Sequence, residues 1–119
     1  MKRVLVVEDT EANMYLIGFI LKNNGHEVIE ARTGEEGVEL FIKEKPDLVL
    51  MDIQLPGIDG FEATHQIRKS TKNGDTPIIA LTSYAMVGDR EKAIKAGCNG
   101  YIEKPINPDT IMDEIWSYL

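Results

Sequence analysis

The feature that most limits how this chain can fold is a series of short, continuous apolar runs separated by longer polar and amphipathic stretches. Three strong runs occupy residues 4–7 (VLVV), 48–51 (LVLM) and 78–81 (IIAL). Two weaker ones occupy residues 26–30 (HEVIE) and 100–102 (GYI). Strands that are apolar on consecutive residues are covered on both faces, as in a parallel sheet. The runs therefore predict five buried parallel strands.

The stretches between the runs carry the start and stop residues of helices. A C-terminal cap at Asn23-Asn24-Gly25 ends a predicted helix over 11–24, and capping boxes are predicted to open two more helices at Thr33–Glu36 and Asp59–Glu62. A fourth helix is predicted from about residue 85 to Gly97. The last is predicted to begin at Asn107-Pro108, an N-cap residue followed by proline.

Five strands that are each followed by a helix predict one α/β domain over residues 1–119. Right-handed crossovers between parallel strands require helices on both faces of the sheet, so the architecture is a doubly wound (βα)5 unit. A length of 119 residues suits one globular core and is too short for two.

Polar side chains follow four of the predicted strands at the point where each strand ends. In an open parallel sheet, ligands bind beyond the carboxyl ends of the strands, so these side chains are expected to converge on one crevice. They are Glu8 and Asp9 after strand one, Asp52 after strand three, Thr82 with Ser83 after strand four, and Lys104 after strand five.

Three clustered carboxylates repel each other unless a cation holds them together. All-oxygen ligands suit a hard divalent ion such as Mg²⁺, which keeps positions open for water and phosphate oxygens. Asp52 could then attack a phosphoryl group whose charge is shared by the ion and Lys104. The residues predict phosphoryl transfer to a carboxylate, with a labile acyl phosphate as product.

Overall charge and cysteine content narrow the function classes. The net charge is −7 and no basic run stands out, which argues against direct nucleic-acid binding. The single Cys98 excludes an internal disulfide, and no signal peptide or long apolar span is visible. We expect a cytoplasmic protein without a membrane segment.

At these positions the chain resembles the receiver domain of two-component response regulators, the CheY-like superfamily. The resemblance extends over residues 2–119 and is carried by VVEDT, LMDIQLPGIDG, ALTSYA and YIEKP, in that order. Within the family, the chain is most similar to short single-domain regulators related to DivK. A glutamate precedes Asp9 where many receivers have a second aspartate, so Glu8 could reach a metal through water.

The resemblance implies a role for each matched residue. Asp52 would be the phosphoacceptor, and Mg²⁺, or Mn²⁺ in its place, would be held by Glu8, Asp9, Asp52 and the backbone carbonyl of Gln54. Lys104 would pair with a phosphoryl oxygen, and a cis bond at Pro105 would aim it into the pocket. Thr82 would move toward the phosphoryl group, and the switch residue Tyr101 would follow it inward. The implied sheet is flavodoxin-like, in the order 2-1-3-4-5.

The resemblance also implies partners. The phosphodonor would be a histidine kinase or a histidine phosphotransfer protein, and the output would be contact with a downstream protein. The expected state is a monomer or a weak dimer that depends on phosphorylation, and the protein would not be a multiple-turnover enzyme. A receiver domain cut from a hybrid kinase or a multidomain regulator remains an alternative.

Two alternatives come from other classes. A flavodoxin-like FMN-binding protein shares the fold, but its phosphate loop is rich in glycine and hydroxyl groups, whereas this chain has EDTEAN after strand one. A haloacid-dehalogenase-like phosphatase also uses an aspartyl phosphate, but a second aspartate follows its nucleophile by two residues. Here that position is Gln54.

Residues 14–21 (MYLIGFIL) are more apolar than one buried stripe requires. A helix turns about 100° per residue, so Leu16, Ile17 and Ile20 are predicted to form the buried face. The opposite face is predicted to be an exposed docking surface for a helical phosphodonor, made of Met14, Tyr15, Gly18 and Lys22. Coverage of these residues by neighbouring elements is the alternative.

Overall fold

Five parallel strands form one sheet at the centre of the protein. The computed structural model describes residues 2–71, 75–83 and 88–118. The strand order is β2-β1-β3-β4-β5, which confirms the predicted α/β class and the implied 2-1-3-4-5 topology. The strands are β1 (Arg3–Val7), β2 (Glu27–Ala31), β3 (Leu48–Asp52), β4 (Ile78–Thr82) and β5 (Gly100–Glu103).

Helices follow the strands in alternation and cover both faces of the sheet, as predicted. They are α1 (Glu11–Asn23), α2 (Gly34–Glu44), α3 (Gly60–Ser70), α4 (Asp89–Ala96) and α5 (Ile111–Trp116). Val4 and Val6 of β1 point into the core shared with α1 and α5. Leu5 and Val7 point into the core shared with α2, α3 and α4. Both faces are buried, which explains why the apolar runs are continuous.

Side chains cap two helices at the predicted places. The side chain of Thr33 accepts the N–H of Glu36 at 3.0 Å, and that of Asp59 accepts the N–H of Glu62 at 2.9 Å. Each bond satisfies a backbone donor that the first turn leaves free. Within the described ranges, no helix is both long and apolar enough to cross a bilayer.

Two helix starts differ from the prediction. The last helix is described from Ile111 rather than Pro108, and residues 108–110 form a turn before it. The predicted cap is nevertheless present, because the Asn107 side chain accepts the N–H of Asp109 at 2.9 Å and the Asn107 carbonyl accepts the N–H of Ile111 at 2.9 Å. The helix predicted from about residue 85 is described from Asp89 onward, after Gly88. Its predicted first residues lie outside the described part of the chain.

Gly60 is the first residue of α3 and packs against the backbone at the end of β3. Its N–H donates to the carbonyl of Ile53 at 2.9 Å. A Cβ at this position would lie 2.2 Å from the carbonyl oxygen of Asp52, a backbone atom that cannot move aside. Only glycine lets α3 begin this close to the end of β3, so this contact fixes the backbone that carries Asp52.

We expect Gly60→Ala to lower the free energy of unfolding by about 2–3 kcal/mol, because the added methyl group overpacks a backbone contact. Urea unfolding followed by circular dichroism measures the change. Gly18→Ala is the matched control, since no atom lies within 4 Å of a Cβ built there. Alanine in that helix interior should stabilise by about 1 kcal/mol. A Gly60→Ala protein as stable as the wild type would contradict the prediction.

Candidate phosphorylation and metal site

The first buried acid lies directly after β1. The N–H of Glu8 donates to the carbonyl of Ala31 at 2.9 Å, which extends the pairing of β1 with β2 by one residue. The Glu8 side chain is fully buried, and its Oε2 accepts the N–H of Thr10 at 3.2 Å. Thr10 is the N-cap residue of α1, so the turn into the helix holds this carboxylate inside the protein.

Asp52 is the last residue of β3 and is 2% exposed. Its Oδ1 accepts the N–H of Gln54 at 3.1 Å, which fixes the side chain at the end of the sheet. The Gln54 backbone therefore lies beside Asp52. Metal ligation by the Gln54 carbonyl stays a prediction.

The fold brings three carboxylates together at the carboxyl end of the sheet. Glu8, Asp9 and Asp52 each offer an oxygen, and these oxygens all lie within 4.8 Å of one another. Asp9 is exposed and the other two are buried. An all-oxygen set of this size, partly open to solvent, fits Mg²⁺, which retains several waters and takes one or two carboxylates.

Lys104 supplies the positive charge in this cluster. Its Nζ lies 2.6 Å from Oε1 of Glu8 and 3.2 Å from Oδ2 of Asp52. The backbone N–H of Lys104 donates to the carbonyl of Thr82 at 2.6 Å. This bond to β4 fixes the position of Lys104 just beyond the end of β5. The peptide bond from Lys104 to Pro105 is cis, as the resemblance implies.

The pKa values of the two buried acids are shifted in opposite directions. Burial raises the pKa of Asp52 to about 7, and its hydrogen bond and charge interaction with Glu8 add to the rise. Burial also raises the pKa of Glu8, but hydrogen bonds with Lys104, Asp52 and Thr10 outweigh it and lower the pKa overall. The difference follows from Lys104, which lies closer to Glu8. One ammonium group cannot neutralise three carboxylates, so the ionised cluster keeps a net negative charge.

The two residues predicted to form a switch are in contact. Thr82 ends β4 and is 2% exposed, and its side chain lies close enough to the Tyr101 hydroxyl of β5 to affect the pKa of that group. Burial raises the pKa of Tyr101, and the Thr82 side chain opposes that rise. Tyr101 packs against the core on the side of α2, α3 and α4. The movement of either residue stays a prediction.

One polar residue at the site, Asn13, was not predicted, whereas Ser83 was expected there after strand four. Asn13 and Ser83 line a cavity of about 300 Å³ together with Lys104 and Pro105. Ser83 follows Thr82 directly, so its place after β4 was visible in the sequence. Asn13 carried no such pattern, because only the packing of α1 against the sheet brings it beside Lys104.

The predicted docking surface on α1 needs a correction. Met14 is buried in the core at 2% exposure, because it lies about 60° from Ile17 around the helix and shares its face. Gly18 is also buried. Tyr15 and Phe19 are 76% and 58% exposed, and their rings stack with centroids 6.4 Å apart. The exposed apolar surface therefore consists of Tyr15 and Phe19, beside exposed Lys22.

Comparison with known protein families gives a match over most of the chain. The family model described as "Response regulator receiver domain" matches residues 4–116. Among curated proteins, the polar-differentiation response regulators DivK of Brucella anthropi and Brucella ovis are each 42% identical over 118 residues. Each alignment covers 99% of this chain and 96% of the relative.

Solved structures agree with this assignment. The receiver domain of the sensor histidine kinase PA1611 from Pseudomonas aeruginosa is 34% identical with a TM-score of 0.89, covering 98% of this chain and 96% of that one. That structure has a magnesium ion coordinated in the active site cleft. A CheY-like receiver domain protein from Methanospirillum hungatei is 33% identical, also with a TM-score of 0.89, covering 98% and 92% of the two chains. This chain therefore belongs to the response regulator receiver domain family of two-component signalling.

Proposed function

We propose that the protein is a phosphorylatable signalling switch that accepts a phosphoryl group on Asp52 in a Mg²⁺-dependent reaction. The observation that carries the proposal is the convergence of three carboxylates within 4.8 Å, with Lys104 Nζ 3.2 Å from Asp52. The donor would be a histidine kinase or a histidine phosphotransfer protein. The protein would act as a switch, without multiple turnover.

The relatives include two kinds of protein in which such a switch could act. One is named a polar-differentiation response regulator, and this chain spans 96% of its length. Another is the receiver domain of a sensor histidine kinase. We favour the first setting, in which output occurs through contact with a downstream protein. A receiver acting within a hybrid kinase or another phosphorelay protein is the alternative.

The reaction would be an in-line displacement at phosphorus. One carboxylate oxygen of Asp52 forms the new O–P bond as the P–N bond of a phosphohistidine breaks, and the imidazole leaves with the bond electrons. Glu8, Asp9 and Asp52 would hold the metal ion, which when bound neutralises the acids and the phosphoryl oxygens. Lys104 would turn from Asp52 to a phosphoryl oxygen of the product.

The switch would begin at Thr82. Phosphorylation adds roughly −1.5 to −2 charges and strong acceptor oxygens at Asp52. The Thr82 hydroxyl, which lies near Tyr101, would turn to donate to the phosphoryl group. Tyr101 would lose this neighbour and repack, which couples the site to the surface around β5. Such a coupled pair is a two-state element that phosphorylation biases.

The flavin-binding alternative has no support in the site. The loop after β1 places Glu8 and Asp9 where a flavodoxin-like protein would cradle a phosphate with backbone amides and hydroxyl groups. Two carboxylates there would repel an FMN phosphate. The same acids favour a metal ion and a reacting phosphoryl group.

We propose that the phosphodonor contacts the exposed aromatic surface of α1. Tyr15 and Phe19 border a groove of about 150 Å³ whose lining includes Met14, Gly18 and Lys22. Exposed stacked aromatic rings are typical anchors in protein interfaces. This surface lies on the helix that follows Glu8 and Asp9 in the chain, and Tyr15 is just beyond the first turn of that helix.

The phosphoacceptor is tested by intact mass spectrometry after incubation with acetyl phosphate. With Mg²⁺, we expect the wild type to gain the mass of one phosphoryl group, because Asp52 provides the nucleophile. Asp52→Asn, or wild type in EDTA, should gain none. Asp59→Asn is the matched control, since asparagine also caps helices and the variant should react normally. Equal labelling of Asp52→Asn would refute the assignment.

Stability without metal should depend on pH through Asp52. The folded protein retains this proton up to about pH 7, whereas the usual aspartate pKa is 3.8, so folded-state stability falls as the pH rises between these values. We expect Asp52→Asn to raise the free energy of unfolding by about 2 kcal/mol in EDTA at about pH 8. The gain should nearly vanish below about pH 3, where most molecules in both states carry the proton.

Urea unfolding with Asp59→Asn as the control measures this effect. Millimolar Mg²⁺ at the higher pH should stabilise the wild type more than Asp52→Asn, because the ion removes the same repulsion. An Asp52→Asn protein less stable than the wild type at the higher pH would contradict the predicted charge strain.

The docking surface is tested by comparing two kinds of donor. We expect Tyr15→Glu to slow phosphotransfer by about tenfold from any histidine kinase or phosphotransfer protein that phosphorylates the wild type, since interface aromatics typically contribute more than 1 kcal/mol. Reaction with phosphoramidate should not change. Ile94→Glu is the control, because Ile94 is 60% exposed on α4. Equal slowing with both donors, or no slowing, would reject this surface.

A further inference from the structure

A second cavity lies at the end of the sheet opposite to Asp52. It has a volume of about 360 Å³ and lies between the C-terminal ends of α2 and α3, beside the entries to β3 and β4. Its lining includes the apolar side chains of Phe41, Ile42 and Pro46. Ile42 is 54% exposed. This volume is at the lower end of the range for small-molecule sites.

A buried hydroxyl in this cavity lacks a partner. Within the described ranges, Oγ1 of Thr71 is buried without any hydrogen bond. The neighbouring Ser70 hydroxyl already donates to the carbonyl of Ile67 at 2.6 Å. An unsatisfied buried hydroxyl is costly, and a ligand with one polar group would remove that cost. The lining therefore calls for a ligand that is apolar with a single hydrogen-bonding group.

The charges around the cavity indicate whether a charged or an uncharged ligand fits it better. Lys45 lines the cavity and makes no ion pair with any described residue. The C-terminal ends of α2 and α3 each contribute about −0.5 charge, which together offset one ammonium group. Among the described lining residues, the charge of Lys45 is therefore nearly offset, which favours an uncharged ligand.

We infer that this cavity is a binding site for a small, neutral, amphipathic molecule whose apolar ring or chain packs on Phe41 and Pro46 and whose hydroxyl or amide group pairs with Thr71. The site is separate from the phosphorylation site and does not depend on the proposed phosphoryl transfer. A bound ligand would also cover Ile42.

Phenethyl alcohol is the probe, added to the full chain and followed by two-dimensional NMR and calorimetry. We expect saturable binding in the millimolar range, with amide shifts concentrated at residues 41–45, 70–71 and 75–76. Ethylbenzene lacks the hydroxyl and phenylacetate carries a charge, so both should bind at least about fivefold more weakly.

Variants separate this site from non-specific binding. Thr71→Val keeps the shape, suits the extended backbone there and should weaken binding about fivefold without loss of thermal stability. Ile42→Lys should weaken binding, whereas Ile94→Lys, at an exposed isoleucine that lines a different cavity, should not. Non-saturable shifts, unchanged affinity in Thr71→Val, or tighter binding of phenylacetate would overturn the inference.

Discussion

Repulsion among carboxylates held close together is the constraint on which the rest of this structure depends. Glu8 and Asp52 are buried at 0% and 2% exposure, and Asp9 completes a set of oxygens within 4.8 Å. Buried charges of one sign are tolerated only when hydrogen bonds and opposite charges compensate them. Here Lys104, the Thr10 N–H and the Gln54 N–H do so in part. The remaining imbalance favours a cation and then a phosphoryl group.

The core must hold this strained cluster in place. Parallel pairing aligns Asp52 with Leu81 of β4, and Thr82 with Glu103 of β5, so the ends of three strands stay in register. Apolar side chains on both sheet faces bury β3 and β4 completely and β5 in part. Rigid strand ends keep the donor and acceptor atoms at fixed distances, which is what positioned phosphoryl-transfer chemistry requires.

The exposed surfaces and cavities of the protein differ in how far they lie from this cluster. The aromatic pair of Tyr15 and Phe19 lies on the helix that follows the acidic pair, where a donor protein could reach both surface and site. The contact of Thr82 with Tyr101 leads from the site toward the edge strand β5. The cavity around Thr71 lies at the opposite end of the sheet, and a ligand there would not touch the acidic cluster.

Much of the fold, and the convergence of the acids with Lys104 at one edge of the sheet, could be predicted because these features follow from local patterns. Apolar runs that are continuous over four residues identify buried parallel strands, and acids directly after those strands must meet at one sheet edge. The caps at Thr33 and Asp59 were equally local, since each involves residues three apart. The strand order, in contrast, came from the family resemblance.

Only the tertiary structure decided which surfaces are exposed and how charges are balanced. Met14 and Phe19 are both apolar residues of one helix, and their opposite burial depends on the angle at which α1 packs on the sheet. The opposed pKa directions of Glu8 and Asp52 depend on Lys104, which lies 96 residues from Glu8 along the chain. Sequence determines contacts that are periodic or adjacent, whereas contacts between distant residues depend on the packing of whole elements.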